Sequence, residues 1–404
     1  MRPLLLTVGS RGDVQPYLAL ARGLLAAGHR PVLAAPRRFE TLVAAHRVEF
    51  APLDDAMLAL QDTVQGQGVR AAVTAARSVK PMLRRLLDDQ ALLVARRADM
   101  VVYHPKSLGG PSIAEALGVP AVAGLLLPLY LPTSAFASPI LPIGVPRALN
   151  RASWRTSSAV EMSYRGTVRA WRSEALELPG RLRAMADLVA EGGVLHAWSP
   201  HLLPGPADWP AAAHPIGFWT LPADSGWTPP ARLVRFLDEG EPPVYVGFGS
   251  SVGGHPEALA ATVREAVRLA GRRAVLATGW GALRTASESG DIMVIEEAPH
   301  DWLLPRAAVA VHHGGIGTVA AALRAGVPQV VRPFLGDQPF WAARLHHRGV
   351  APAPLTGRLT AERLATAIQD AARHAPAARA LAGRVRAEDG ITTAIARLES
   401  LPDT

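Results

Sequence analysis

Two stretches of the chain gather side chains able to bind an anion or move a proton. The first is His312-His313-Gly314-Gly315-Ile316-Gly317-Thr318, between the apolar run Ala307 to Val311 and a helix predicted over Val319 to Ala325, which stops at Gly326 ahead of Pro328. Glycines at a helix N-terminus let backbone N–H groups approach a phosphate, and the helix dipole favours its charge. His313 and Thr318 add side-chain donors. The same residues also suit a plain strand-to-helix turn in which the glycines make the bend and Thr318 caps; backbone geometry alone gives no reason for two histidines. The second stretch is Gly9-Ser10-Arg11-Gly12-Asp13, after a predicted strand from Pro3 to Val8. Asp13 there can accept a proton as a general base. Alternatively it N-caps the following helix, with Pro16 in the first turn; a capping carboxylate is stabilised as the anion and is a weaker base.

Other candidates carry less. Trp280, in Thr278-Gly279-Trp280, follows a predicted strand and either borders a ligand or packs. Trp302 reads as core beside Leu303 and Leu304. His29, His46, His104, His196 and His201 fall outside any spacing that marks a site. No cluster has metal-ligand spacing, and His312 and His313 would face opposite ways on an extended strand, so no required metal is expected.

The elements that must position these residues repeat. Val14, Tyr17, Leu18, Ala21, Leu24 and Leu25 have helical spacing, and Gly28 marks the helix end. Pro31 to Ala35 and Met100 to Tyr103 are further short apolar runs, and Leu83 to Val94 has helix-forming composition. A second series restarts at Pro243-Val244-Tyr245-Val246-Gly247-Phe248-Gly249-Ser250-Ser251, with a helix over Pro256 to Leu269. Strands follow at Ala274 to Ala277, Ile292 to Ile295, Ala307 to Val311 and Gln329 to Val331. Strands alternating with helices imply an α/β protein with parallel sheets covered on both faces. Two such sheets, joined by a Pro-, Gly- and Trp-rich surface linker over Pro204 to Pro243, would leave a cleft at their strand C-terminal ends. The expected division is 1–215, 216–385 and a C-terminal helix, 386–404, returning to the first domain.

At 404 residues, 49% of them hydrophobic, two globular domains are expected. The net charge of +8 is spread along the chain without a dense Lys/Arg block, which argues against nucleic acid. Absence of cysteine excludes disulfides and thiolate chemistry. Leu4-Leu5-Leu6 is too short for a signal or membrane segment, so a cytoplasmic protein is expected. A dinucleotide-dependent oxidoreductase is disfavoured because Gly9 to Asp13 lacks the Gly-x-Gly-x-x-Gly order.

His312 to Gln338, continuing through Pro339-Phe340-Trp341, resembles the donor-site signature of the inverting family-one glycosyltransferases, most closely their sterol and bacterial natural-product branch. Glu297 to Leu303, Gly247 to Ser251, Gly9 to Pro16, Ala207 to Pro210 and Gly217 to Trp219 match in the same order. The resemblance implies two Rossmann-like domains facing each other across a cleft, the GT-B fold, with acceptor on the first and nucleotide sugar on the second. By position His313, Gly315, Gly317 and Thr318 would hold the diphosphate, with Ser250 or Ser251. Asp337 and Gln338 would meet the sugar hydroxyls, Ala298 and His300 the nucleobase, and Asp13 would be the base. Ala321 and Glu297 replace a Glu and a Trp of the plant members, leaving UDP and dTDP donors both open. Leu127, Tyr130 and Phe136, within Leu125 to Trp171, together with Met57 to Pro81, would flank a lipophilic acceptor such as a polyketide, macrolide or sterol-like alcohol. They also suit ordinary buried loops. The nucleotide sugar would be a co-substrate, with no other cofactor. A non-catalytic nucleotide-sugar-binding protein of the same fold is the alternative.

Overall fold

The computed structural model describes residues 1–56, 58, 68–141, 145–223, 226–249, 256–279, 283 and 288–401. The chain divides into two compact units, one from Met1–Val64, Gly68–Leu221 and Glu388–Thr404, the other from Pro222–Ala387. The division falls a few residues beyond the expected 215/216 and 385/386.

In the first unit six parallel strands lie in the order β3-β2-β1-β4-β5-β6. They are β1 (Pro3–Leu6), β2 (Val32–Pro36), β3 (Glu49–Leu53), β4 (Met100–Tyr103), β5 (Ala121–Leu125) and β6 (Val194–His196). Every residue of β1, β2 and β4 is buried, as continuous apolar runs in a sheet covered on both faces should be. Leu6 pairs with Ala34 on one side and Tyr103 on the other. The last helix, Gly390–Glu399, packs on the first, Arg11–Ala26. His29 Nε2 meets Glu399 at 2.9 Å, Ser199 Oγ donates to Glu388 at 2.6 Å and Arg397 donates to the Ala212 carbonyl at 2.7 Å.

The second unit has five parallel strands, β11-β10-β7-β8-β9. They are β7 (Val244–Gly247), β8 (Ala274–Ala277), β9 (Ile292–Ile295), β10 (Val309–His312) and β11 (Gln329–Val331). His312 pairs with Gly247 and Val331, so the turns after β7 and β10 leave the sheet side by side.

Pro204 to Pro243 is not the surface run that its composition suggests. Trp209, Ala213, Ile216, Phe218 and Trp219 are buried in the first unit, with Trp219 edge-on to Tyr17 at 5.6 Å. Ala231–Asp238 is a helix whose Leu233 and Phe236 enter the core of the second unit. A segment this rich in tryptophan gains more from burial than from solvent exposure. Among the described residues no helix is long and apolar enough to cross a membrane.

Candidate functional site

Each sheet reverses strand order once, β1 against β4 in the first unit and β7 against β10 in the second. At such switch points the loops from neighbouring strands diverge to opposite faces and leave room for a ligand at the strand C-terminal ends. Polar side chains collect at both.

In the first unit β1 feeds a turn into the helix Arg11–Ala26, with Ser10 as its N-cap residue in extended conformation. Asp13 is therefore not the cap: it stands in the first helical turn, where its Oδ2 accepts from the Ser10 N–H at 2.8 Å and from Ser10 Oγ at 3.1 Å. Pro16 lies beyond that turn. Gly9 makes the arrangement possible, because its φ is +133° and a Cβ there would come within 2.2 Å of Asp13 Oδ2. From β4, Lys106 Nζ approaches Asp13 Oδ1 at 2.8 Å and Oδ2 at 2.9 Å, and His104 Nε2 lies 3.4 Å from Oδ1. The Lys106 N–H donates to His104 Nδ1 at 3.2 Å, which places the ring proton on Nε2, facing the carboxylate.

Burial pushes the Asp13 carboxyl up, but Lys106, His104 and the Ser10 N–H together outweigh it and hold the group below its ordinary value. Burial holds His104 down to about 4, more than Asp13 raises it, so the ring is neutral near pH 7. His104 and Lys106 were not legible as site residues. Their signal is positional, since both follow the strand that neighbours β1 once the strand order is known.

In the second unit the helix after β10 runs Ile316–Ala325 with Gly315 at its N-cap, so Thr318 is a first-turn residue and not the cap. The two histidines separate as strand alternation requires. His312 is fully buried; its Nδ1 accepts the Gly314 N–H at 3.0 Å and its Nε2 meets Gln329 Oε1 at 2.9 Å, fixing the turn. His313 is half-buried beside Gly249 and Gly315, where a Cβ on Gly315 would come within 2.5 Å of its Nε2. Its buried Nδ1 makes no well-formed hydrogen bond, although the Gly247 carbonyl favours the protonated ring. Burial, then His300, hold His313 to about 4, and burial holds His312 to about 3. Gly317 is exposed, and Thr318 is half-buried. The first turn of a helix leaves backbone N–H groups without intrahelical partners, which suits this turn to an anion.

The remaining positions are tied to the fold in different ways. His300 Nε2 lies 3.0 Å from Tyr245 Oη and Ala298 is half-buried in the preceding loop. Gln338 is buried, and its Oε1 accepts the N–H groups of Phe334 at 2.8 Å and Leu335 at 3.2 Å, which ties that oxygen to the loop before its helix. Asp337 accepts from Trp341 Nε1 at 3.1 Å. Trp302 is half-buried edge-on to Trp227, with the Arg306 guanidinium over its ring. Ser250, Ser251 and Trp280 lie outside the described residues, as does most of 57–67. Of the acceptor-side residues, Phe136 is a core residue, 5.9 Å from Trp154 and 6.1 Å from Trp209. Leu127 and Tyr130 are half-buried, and Tyr130 adopts a left-handed φ of +65° in a tight turn closed by Leu131 N–H to Leu129 O. Among the described residues no three His, Asp or Glu are grouped to hold a metal.

Residues 4–135 match the glycosyltransferase family 28 N-terminal domain, and residues 282–394 the C-terminal domain of erythromycin biosynthesis protein CIII-like chains. The sterol 3-beta-glucosyltransferase UGT80A2 of Arabidopsis thaliana is 34% identical over 372 residues, 88% of this chain and 58% of the relative. A sterol 3-beta-glucosyltransferase of Emericella nidulans is 35% identical over 413 residues, 96% of this chain and 29% of the relative. The chain thus spans less than two thirds of the length of these relatives. Among solved structures, the glycosyltransferase VinC in complex with dTDP superposes with a TM-score of 0.69 at 20% identity, covering 99% of this chain and 98% of that one. SsfS6, a glycosyltransferase of Streptomyces sp. SF2575, gives 0.64 at 20% identity, covering 99% and 100%.

Proposed function

The chain belongs to the family-one glycosyltransferases and has their GT-B fold, and from that membership we propose an inverting enzyme that moves a hexose from a UDP- or dTDP-sugar to a hydroxyl of a small lipophilic acceptor. The observation that carries the reading is Asp13, an ionised carboxylate held at the strand switch point by Ser10, His104 and Lys106. In the reaction the acceptor oxygen bonds to the anomeric carbon as the bond from that carbon to the diphosphate breaks, and the hydroxyl proton passes to Asp13. Charge grows on the leaving diphosphate. His313, Thr318 and the N–H groups of Gly315 and Gly317 stabilise it from the helix N-terminus. Ser250, Ser251 and Trp280 complete the donor site with Ala298, His300, Asp337 and Gln338; Leu127 and Tyr130 border the acceptor.

The sterol acceptors in the relatives' names and the thymidine diphosphate bound to SsfS6 support the two substrate classes. Transfer needs no divalent metal, because the helix dipole and His313 take its place at the diphosphate, and it survives chelation. The test is Asp13→Asn with an aliphatic alcohol as acceptor, which gains most from a base. Asn can still accept the Ser10 N–H but takes no proton, so turnover should fall by about a hundredfold or more. Donor binding should stay near wild type. Near-wild-type turnover on that alcohol would show that Asp13 is not the base, and donor binding without any turnover in the wild type would make this a binding protein.

A further inference from the structure

The surroundings of Asp13 raise a question that general-base catalysis must answer, namely where the acceptor proton enters. A carboxylate offers about four lone-pair sites. Oδ1 already faces Lys106 Nζ at 2.8 Å and His104 Nε2 at 3.4 Å. Oδ2 accepts from the Ser10 N–H, Ser10 Oγ and Lys106 Nζ, at 2.8, 3.1 and 2.9 Å. An attacking hydroxyl finds no vacant site unless one donor leaves.

The donors are not equally able to go. The Ser10 N–H is fixed at the entrance of the first helix, and rotation of the exposed Ser10 hydroxyl alone still leaves four contacts on the roughly four sites of the carboxylate. The His104 side chain is 4% exposed, and withdrawing it would leave a buried N–H without a partner. Lys106 is 52% exposed on a flexible four-carbon stem, and its ammonium is readily hydrated. We propose that Lys106 is a positioning residue that closes Asp13 in the absence of acceptor and must swing off the carboxylate for transfer to occur, so that acceptor and ammonium compete for the same oxygens. The inference rests on Asp13 being the base.

The titratable or charged groups that bear on Asp13 are Lys106 and His104, with the buried Tyr17 on its own helix engaged with the Gly124 carbonyl. His104 stays neutral, which makes Lys106 the cation that holds the carboxylate ionised. Lys106→Met removes the competitor. Acceptor KM should fall several-fold, and Asp13 should titrate about one pH unit or more higher, since an adjacent cation depresses a carboxylate by that amount. The acid limb of kcat/KM should move up with it. Lys106→Arg should keep the wild-type limb.

The experiment combines carboxyl carbon-13 NMR titration, with the Asp13 signal assigned through its loss in Asp13→Asn, and acceptor kinetics across pH for the same variants. Upward movement of the Asp13 titration and the acid limb in Lys106→Met, with a lower acceptor KM, is the expected result. An unmoved Asp13 titration, or an unmoved acceptor KM, in Lys106→Met overturns the gate even if Asp13→Asn is inactive. Full turnover of Asp13→Asn overturns the assignment of the base and the gate with it, whatever the NMR shows.

Discussion

His312 and His313 are neighbours in sequence with opposite duties. One closes a turn through Gly314 and Gln329; the other projects beside Gly249 and Gly315 at the strand switch point. Substitution should separate them. On the proposed mechanism His313→Ala takes away a donor to the departing diphosphate and should lower kcat by the equivalent of about 2 to 4 kcal/mol, as removal of one oxyanion donor does. The fold should be retained, and unchanged turnover at saturating donor would remove His313 from the mechanism. His312→Ala should instead lower the unfolding midpoint, because the buried Gln329 oxygen and Gly314 N–H lose their partner. Opposite faces were legible from strand alternation. The partners of His312 were not, because Gln329 lies on a neighbouring strand whose register a sequence does not print.

Among elements, the turn from β1 into the first helix decides where the carboxylate stands. Gly9→Ala should be poorly tolerated on two grounds, a φ of +133° and the collision of the new Cβ with Asp13 Oδ2. The expected outcome is a loss of stability of about 1 to 3 kcal/mol together with a fall in turnover, as the carboxylate is pushed from Ser10. Retained turnover with an unchanged unfolding midpoint would refute this account of the turn. Short apolar runs and one helix were legible to the residue at Ala274–Ala277, Ile292–Ile295, Gln329–Val331 and Pro256–Leu269, whereas the run expected over Ala307 to Val311 forms a strand at Val309–His312. Strands β3, β5 and β6 are not legible in the sequence. Glu49–Leu53 carries Pro52 and Ala121–Leu125 carries Gly124; these two and Val194–His196 are strands because neighbouring strands pair with them.

On the scale of the whole molecule, buried neutral histidines tie stability to pH in both units. Burial holds His104 to about 4 and His196 and His312 to about 3, below the ordinary histidine value near 6.5. Between those values the unfolded chain binds protons that the folded chain does not, so stability falls as pH drops below about 6.5 and continues to fall towards 4. At pH 5 each such group contributes up to about 2 kcal/mol of that loss. Asp13, whose folded value is depressed, keeps its contribution until the pH falls through the carboxylate range. Urea midpoints measured from pH 7.5 to 5 should decline steeply, and a flat profile would contradict the burial of these rings.

The sequence alone determined the architecture of two parallel α/β sheets, the turns that end β1 and β10, and the residue types set in them. Those follow from local rules, since periodicity, glycine punctuation and helix-end chemistry act over a few residues. Tertiary structure decided what surrounds those residues. Asp13 is separated by about ninety residues from His104 and Lys106, and only the pairing of β1 with β4 brings them together. Whether Asp13 caps a helix or carries an ion pair, and whether Phe136 faces a ligand or packs between Trp154 and Trp209, depends on partners distant along the chain. Composition near each residue carries no record of them.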